Sequence, residues 1–184
     1  MLKNTKAVFA SSLKKMLEKK TLDHITVKDI VQDCGVSRQA FYYHFNDIYQ
    51  LVEWIFKEET LEALADNRDI DTWQQGYRHI LERMCQNRNF VSNVYRSISR
   101  EYLERFMYNV LHDIIYPVVE DQAKGLIVDG KYKEFIAHFY SLAVVAMGMD
   151  WVRMGMKENP EEIAEKVAIL VKGNFKKSLQ EYSK

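Results

Sequence analysis

The sequence predicts an all-α fold, and two observations carry that prediction. Apolar residues recur at intervals of three and four along most of the 184-residue chain, which is the spacing of a helix face. Glycine and proline are scarce, at seven and two residues, which argues against a β-sandwich and against a disordered chain. With 47% hydrophobic residues, the chain can also bury a sizeable core.

The first third of the chain is expected to hold four helices. Residues 3–19 place Leu13 and Leu17 on one side and lysines on the other, which is the pattern of an amphipathic helix. Two short helices are expected within residues 25–45, and a longer one over residues 47–66. The first helix would pack across the two short ones and hold them in place.

Residues 25–45 carry the signals of a helix, a tight turn and a second helix. Thr26 is a good N-cap residue, and Asp29 lies in the first turn, where a negative charge suits the helix dipole. Gly35 is placed to adopt the left-handed conformation that ends the first helix. Ser37 then caps the second helix. This arrangement is the pattern of a helix-turn-helix.

The second helix of this motif has an unusual outer face. Arg38, Gln39, Tyr42 and Tyr43 lie opposite its buried phenylalanines, and no acidic residue stands among them. Arginine can pair with guanine, glutamine with adenine, and the methyl group of Ala40 can touch that of thymine. Tyrosine hydroxyls can donate to phosphate oxygens. The composition therefore predicts a helix that enters the major groove of DNA.

The motif resembles the DNA-binding region of the TetR family of bacterial regulators, in which glycine and valine precede an aromatic-Tyr-x-His-Phe block. Here the block is GVSRQAFYYHF, residues 35–45. The longer string RQAFYYHFNDIYQLVEWIF resembles the Gram-positive branch that contains the activator of the dihydroxyacetone-kinase operon. Two departures affect expected contacts: Ile48 stands where the family often has a lysine, and Ala40 where it often has a threonine.

The motif and the resemblance together give a set of expected DNA contacts. Three residues at the start of the second helix would read base edges, and the others would hold the sugar-phosphate backbone or the start of each helix. Lys6, near the start of the chain, is the phosphate contact expected from the first helix. The full set is Lys6, Thr26, Lys28, Ser37, Arg38, Gln39, Ala40, Tyr42, Tyr43 and His44.

Charge is distributed unevenly along a chain whose net charge is zero. Residues 1–47 contain eight basic and five acidic residues, for a net charge of +3, and the remainder carries −3. A basic end on an acidic body would orient the molecule toward phosphate. The alternative is that the lysines merely form solvated helix faces.

Two domains are expected: a DNA-binding domain at 1–66, with its motif at about 25–44, and a helical effector-binding and dimerisation domain at 67–184. In the second, helices are expected at 72–87, 89–98, 100–123, 131–156 and 161–182. Pro117 is expected to kink or break the third of these. Pro160 suits the first turn of the last.

Aromatic residues are abundant in the middle of the chain and have two interpretations. They fill a core, or they line an apolar pocket for a small-molecule effector. The resemblance leaves a protein effector open as well. The residues assigned to the pocket are Trp73, Tyr77, Tyr95, Tyr102, Phe106, Phe139 and Met147.

The last two predicted helices carry an apolar stripe and several small residues that permit close helix approach. Such a stripe faces either the chain's own core or a second copy. The resemblance implies a homodimer that pairs these helices in a four-helix bundle and reads a palindromic operator. The residues assigned to the interface are Ala143, Ala146, Ile163, Val167, Leu170, Val171 and Phe175.

Other chemistry finds little support in the sequence. There is no HExxH, paired His/Cys spacing, phosphate-binding glycine loop or GxSxG motif, so no metal, cofactor or enzymatic activity is expected. Cys34 and Cys85 stand far apart and indicate free thiols in a cytoplasmic protein. No apolar run is expected to span a bilayer. The alternative function is a helical adaptor or ligand carrier whose N-terminal motif contacts protein.

Overall fold

The computed structural model describes residues 5–64, 72–171 and 173–183. Those residues form ten α-helices and one short 3-10 turn at Leu22–His24, with no strand among them, so the predicted all-α fold is confirmed. The helices are α1 (Thr5–Leu17), α2 (Val27–Cys34), α3 (Arg38–Tyr42), α4 (Ile48–Leu64), α5 (Trp73–Gln86), α6 (Arg88–Ser97), α7 (Arg100–Gln122), α8 (Gly130–Arg153), α9 (Pro160–Val171) and α10 (Asn174–Glu181).

Helix α1 packs across α2 and α4 and forms the base of the N-terminal half. Its apolar side chains Phe9, Leu13 and Leu17 are completely buried. Between them, the buried Ser12 donates a 2.8 Å hydrogen bond to Asp33 at the end of α2. This hydrogen bond ties the end of α2 to α1.

Several helices differ from the sequence prediction. Helix α3 ends at Tyr42, although Phe45 still returns to the core because its N–H bonds the Phe41 carbonyl at 2.9 Å. Helix α7 continues through Pro117 to Gln122. The expected single helix at 161–182 is two helices, because Gly173 adopts the left-handed conformation with φ of 78°.

Pro117 does not end α7 because the surrounding structure holds the helix together. Proline removes one backbone hydrogen bond and crowds the preceding turn, which disfavours a helix interior. The ring of Pro117 is exposed, while Val118 and Val119 directly after it are buried in the core. Packing of the next turn therefore outweighs the local loss.

Helices α7 and α8 form the long central pair of the C-terminal half. They run antiparallel, because Tyr108 bonds His138 at 2.8 Å while His112 lies 2.9 Å from Glu134. Buried residues of both helices, including Val119 and Ala137, belong to the core.

The two halves share a continuous hydrophobic core. Phe56 of α4 packs against Phe90 of α6 and Phe106 of α7, at ring-centroid distances of 5.3 and 6.4 Å. Asn93 of α6 donates a 2.6 Å hydrogen bond to the carbonyl of Leu17, at the end of α1. The domain boundary expected at residues 66 and 67 lies outside the described residues.

Helix α8 is the one helix in the described residues that is long and apolar enough to cross a membrane, judged by length and composition alone. The sequence did not predict such a segment. Of its most apolar stretch, 39% is buried inside the molecule. A core helix of a helical protein can be equally long and apolar, so the length and composition of α8 are weak support for a membrane span.

Candidate nucleic-acid interface

Helix α2 begins with a reciprocal hydrogen-bonded cap. The Asp29 N–H donates to the Thr26 hydroxyl at 3.3 Å, and the Thr26 N–H donates to the Asp29 carboxylate at 2.8 Å. The Thr26 hydroxyl also donates to that carboxylate at 2.6 Å. These bonds, with the hydroxyl bond the largest cause, hold the pKa of Asp29 below its usual value. The Thr26 hydroxyl is thus engaged in the cap and is less available to DNA.

The turn between α2 and α3 has the geometry that the sequence predicts. Gly35 adopts φ of 66° and ψ of 30°, in the left-handed region that side-chain-bearing residues rarely enter. Val36 then donates from its N–H to the Val31 carbonyl at 3.0 Å. The Ser37 hydroxyl accepts from the Ala40 N–H at 3.2 Å and starts α3. These local bonds set the angle at which α3 leaves α2.

Aromatic packing fixes which side of α3 faces outward. Phe41 is completely buried, and its ring lies 5.3 Å from that of Phe9 in α1. Phe45 packs against Phe9 and Trp54 on the same side. These anchors turn the opposite side of α3 away from the core.

The predicted reading face points away from the core. Arg38, Gln39, Tyr42 and Tyr43 are all exposed, and Tyr43 reaches 84%. Ala40 is half-buried between them. The face therefore offers a guanidinium, an amide and two phenol groups to an external surface, which is the orientation that base reading requires.

The residues expected to contact the DNA backbone lie in α1, in α2 and at the two ends of α3. Lys28 is exposed in the first turn of α2, and Ser37 is exposed at the start of α3. His44 is half-buried against the ring of Tyr43, at 4.9 Å. The Lys6 ammonium lies 5.7 Å from the Phe45 ring centroid and shares a shallow groove with His44.

The start of α4 carries a further exposed aromatic side chain that was not predicted from the sequence. Tyr49 is exposed in the first turn of α4, close in the chain to the reading face, and its ring packs 6.2 Å from Tyr102. The sequence signal for it was its position two residues after Asp47, whose carboxylate caps α4 by accepting from the Gln50 N–H at 2.8 Å. Ile48 is half-buried against the core, so this position supplies no phosphate ligand.

Part of the N-terminal positive charge is neutralised within the molecule. Lys14 pairs with Glu59 of α4, and Lys15 lies 3.4 Å from Asp33. The Ser12 hydroxyl bond, followed by Lys15, lowers the pKa of Asp33. The lysine-rich start is therefore less basic toward an external partner than its sequence indicates.

The residues assigned to the effector pocket do not all lie in one place. Trp73, Tyr77 and Tyr95 line apolar cavities inside the C-terminal half. Tyr102 and Phe106 instead pack toward α4, against Tyr49 and Phe56.

One of the assigned pocket residues requires correction. Phe139 is exposed on α8 and faces outward, because another side of that helix supplies Val144, Val145 and Met149 to the apolar cavities. Met147 is partly exposed and lines a separate, open cleft together with Tyr95.

The structure also corrects the residues assigned to the dimer interface. Four of them lie in the subunit's own core, because the stripe faces inward against the other helices of the same half: Ile163, Val167, Val171 and Phe175. Leu170 and Ala146 are exposed, and Ala143 is half-buried. Of the seven, only these last three are accessible to a second copy.

Two family models match the chain. The model described as "Bacterial regulatory proteins, tetR family" matches residues 13–55, which contain the helix-turn-helix. The model described as "Transcriptional regulator C-terminal region" matches residues 71–173, more than half of the chain.

Two curated relatives are transcriptional regulators. The chain is 25% identical over 153 residues to the HTH-type dhaKLM operon transcriptional activator DhaS of Lactococcus lactis subsp. lactis (strain IL1403), covering 82% of this chain and 81% of that protein. It is 22% identical over 182 residues to the HTH-type transcriptional regulator YxbF of Bacillus subtilis (strain 168), covering 93% of this chain and 46% of that protein.

Solved structures share the fold over nearly the full chain. The dihydroxyacetone kinase operon activator DhaS matches with a TM-score of 0.71 and 22% identity, over 98% of this chain and 99% of that one. A TetR transcriptional regulator from Streptococcus agalactiae 2603V matches with a TM-score of 0.60 and 21% identity, over 91% and 93% of the two chains. With its outward-facing helix-turn-helix and both family models matched, the chain belongs to the TetR family of DNA-binding transcriptional regulators.

Proposed function

We propose that this regulator works as a homodimer that reads a palindromic operator and that an effector in its C-terminal half sets its affinity for DNA. The need for two copies follows from the size of α3, which has five helical residues. One such helix contacts too few base pairs for useful selectivity. Two copies related by a two-fold axis read two half-sites about 34 Å apart, on one side of the duplex.

In this proposal the residues of the motif divide into two roles. Arg38, Gln39 and Ala40 read base edges in the major groove. The remaining contacts position the motif on the backbone, with Thr26 acting through the cap of α2: Lys6, Thr26, Lys28, Ser37, Tyr42, Tyr43 and His44. The exposure of Arg38 and Gln39, together with the absence of an acidic residue from α3, supports the assignment.

The observation that carries the dimer is a set of exposed apolar side chains on two helices of the C-terminal half, both of which pack against α10. We call it the dimer face, and it comprises Phe135, Phe139 and Leu142 of α8 with Ile169 and Leu170 of α9. Phe139 is 58% exposed and Ile169 is 74% exposed. Exposed apolar clusters of this kind mark interaction sites, and a two-fold dimer would bury the same patch of each copy.

Control by an effector is supported by the contacts of α6. Val91, Val94 and Tyr95 of this helix line an apolar cavity in the C-terminal half. On another side of the same helix, Asn93 bonds the Leu17 carbonyl of α1. A molecule that displaces α6 in the cavity would therefore also act on the N-terminal half, and so on the separation of two reading helices in a dimer.

We further infer that the protein acts in the cytoplasm, where its DNA is, and that its activity is regulation rather than catalysis. The curated relatives are transcriptional regulators, which supports both inferences.

The experiment selects bound duplexes from a random pool with the wild-type protein and with Phe139→Glu, and measures mass by sedimentation. Wild-type protein is expected to enrich an inverted repeat and to sediment as a dimer. Phe139→Glu introduces a charge into the dimer face, so it should sediment as a monomer and lose at least about tenfold in affinity for the repeat.

Ile127→Glu is the matched control, because Ile127 is also an exposed apolar residue but lies in the turn before α8, outside the dimer face. It should remain dimeric and keep its affinity. Enrichment of a single asymmetric half-site, or a monomeric wild-type protein, would count against the dimer. Binding to no duplex would favour the adaptor or carrier alternative.

A further inference from the structure

The first turns of α4 and α7 lie side by side, next to the reading motif. Tyr49 in the first turn of α4 packs 6.2 Å from Tyr102 in the first turn of α7. Phe56 lies two turns further along α4 and packs against Phe106, one turn further along α7, at 6.4 Å. Both helices therefore start at the same end of the molecule and lead away from it. Because α4 follows α3 after a short turn, this is the end that carries the reading face.

The side chain of Arg105 in α7 extends toward this end. Its guanidinium carbon lies 5.6 Å from the centroid of the Tyr102 ring, one turn nearer the start of the helix. Side chains of a helix lean toward its N-terminus, so this contact directs the guanidinium toward the start of α4. Arg105 is exposed and forms no ion pair in the part of the chain that the structure describes, not even with Glu101 one turn before it.

Two carboxylates near the Tyr102 hydroxyl are engaged by other groups. Glu53 accepts a hydrogen bond from that hydroxyl, and burial, the larger cause, together with this bond raises the pKa of Tyr102 to about 12. Asp47 accepts from the Gln50 N–H at 2.8 Å and caps α4. The five N–H donors of the Arg105 guanidinium are therefore available to a partner from outside the molecule.

The reading motif needs a cation at this place. Between Ser37 and Phe56 the sequence contains one arginine, Arg38, and no lysine, and Arg38 is assigned to base edges. The same segment contains the carboxylates of Asp47 and Glu53, which repel phosphate. A guanidinium supplied by another helix beside the start of α4 would offset that repulsion.

We propose that Arg105 binds a phosphate of the DNA backbone beside the half-site, so that the C-terminal half contacts DNA directly. A guanidinium suits this partner because it presents parallel N–H donors to two phosphate oxygens. Tyr102 is a positioning residue, whose ring holds the guanidinium at the end of α7 beside α4. The inference rests on the proposed function, in which α3 lies in the major groove, and adds a contact from outside the helix-turn-helix.

The experiment measures binding of the full-length protein to a short duplex of random sequence by fluorescence anisotropy, over a range of salt concentrations. Phosphate contacts contribute to binding of any sequence, so the operator is not needed. In Arg105→Gln the slope of log affinity against log salt should be smaller by about 0.9 for each bound protomer, which is the contribution of one neutralised phosphate. Arg105→Lys keeps the charge and should retain most of the slope.

Arg83→Gln is the matched control, because it removes the same charge far from the reading face. Arg83 lies 3.1 Å from Glu62, near the other end of α4, and that end is about 21 Å from its first residue along the helix axis. The control should keep the wild-type slope. Arg105→Gln should melt at the wild-type temperature, because the side chain is exposed, and this separates a lost contact from a lost fold.

The positioning role of Tyr102 has its own test. Tyr102→Phe keeps the ring and should keep the wild-type slope, whereas Tyr102→Leu removes the ring and should reduce the slope. Combining Tyr102→Leu with Arg105→Gln should give the slope of Arg105→Gln alone, because both changes remove the same phosphate contact. Additive reductions would overturn the positioning role.

A wild-type slope in Arg105→Gln would overturn the inference and would mean that the guanidinium serves only its contact with Tyr102. An equal reduction in Arg83→Gln would also overturn it, because the effect would then follow from net charge. Neither result touches the proposed function, which is tested by enrichment of an inverted repeat. Failure of the wild type to bind any duplex would remove both.

Discussion

At the scale of single residues, the reading face depends on the residues that do not touch DNA. Phe41 and Phe45 are buried against Phe9, and this packing turns Arg38 and Gln39 outward. The sequence alone predicts the division, because phenylalanines four residues apart prefer a core while a guanidinium and an amide do not. The sequence does not reveal that Lys14 and Lys15 are already paired within the molecule, because their partners lie 45 and 18 residues away.

Arg38→Ala is expected to weaken operator binding by about 1–3 kcal/mol and to relax the preference at one base position of each half-site. Base-edge contacts carry specificity. The loss of affinity on changing that base pair should therefore be smaller for the variant than for the wild type. Competition binding on a set of single-base variants measures the effect.

Lys28→Ala is the comparison, because Lys28 is an exposed cation in the first turn of α2. It should weaken every duplex alike and reduce the steepness of the salt dependence. An equal loss on all sequences with Arg38→Ala would contradict a base-reading role.

At the scale of elements, local signals placed the starts of the helices well and some of their ends poorly. Thr26 and Ser37 cap α2 and α3 as predicted, since each cap involves residues three positions apart. The break at Gly173 and the continuation of α7 through Pro117 were not predicted. The continuation of α7 depends on the packing of Val118 and Val119 in the core, which the local sequence does not show. The break before α10 depends on the left-handed conformation of Gly173, which glycine can adopt but need not.

The cap of α2 makes stability depend on pH. The pKa of Asp29 is lowered in the folded protein, so its carboxylate contributes stability above the unfolded value of 3.8, and that contribution is lost as pH falls through the folded value. Asp29→Asn should lower the free energy of unfolding in urea at neutral pH, and the deficit should shrink as the pH falls below 3.8.

The control for this prediction is Asp23→Asn, which alters an exposed carboxylate in the 3-10 turn before α2. It should leave the difference between neutral and acidic stability unchanged. A deficit for Asp29→Asn that stays constant with pH would mean that the carboxylate's charge does not stabilise the cap.

At the scale of the whole molecule, the continuous core ties the two halves together. The sequence divides into a DNA-binding part and a larger helical part, and the two matched family models follow the same division. Side-chain packing crosses this division, because Phe56 of α4 packs against Phe90 and Phe106 of the second half. Unfolding of one half would expose apolar surface of the other.

Phe56→Ala is therefore expected to destabilise both halves together, by about 3–5 kcal/mol. Urea unfolding followed by circular dichroism and by tryptophan fluorescence at one protein concentration should give coincident transitions in wild type and variant. Tyr43→Ala, at an exposed position, should change stability by less than about 0.5 kcal/mol. Two separate transitions in the wild type would show that the halves unfold independently.

The sequence by itself determined the helical fold, the helix-turn-helix and the family. These depend on residues a few positions apart: the caps at Thr26 and Ser37, the left-handed Gly35, and apolar residues at helical spacing. The tertiary structure decided which apolar helix faces are buried in the core and which are exposed. It buries Val167 and leaves Ile169 exposed, and it places Tyr77 in the wall of an apolar cavity while Phe139 faces outward.

The physical reason is that helical spacing shows which apolar residues share a side of a helix but not what covers that side. The covering surface comes from segments far along the chain or from a second copy. Only the packed molecule shows which apolar side chains its own helices cover and which they leave exposed.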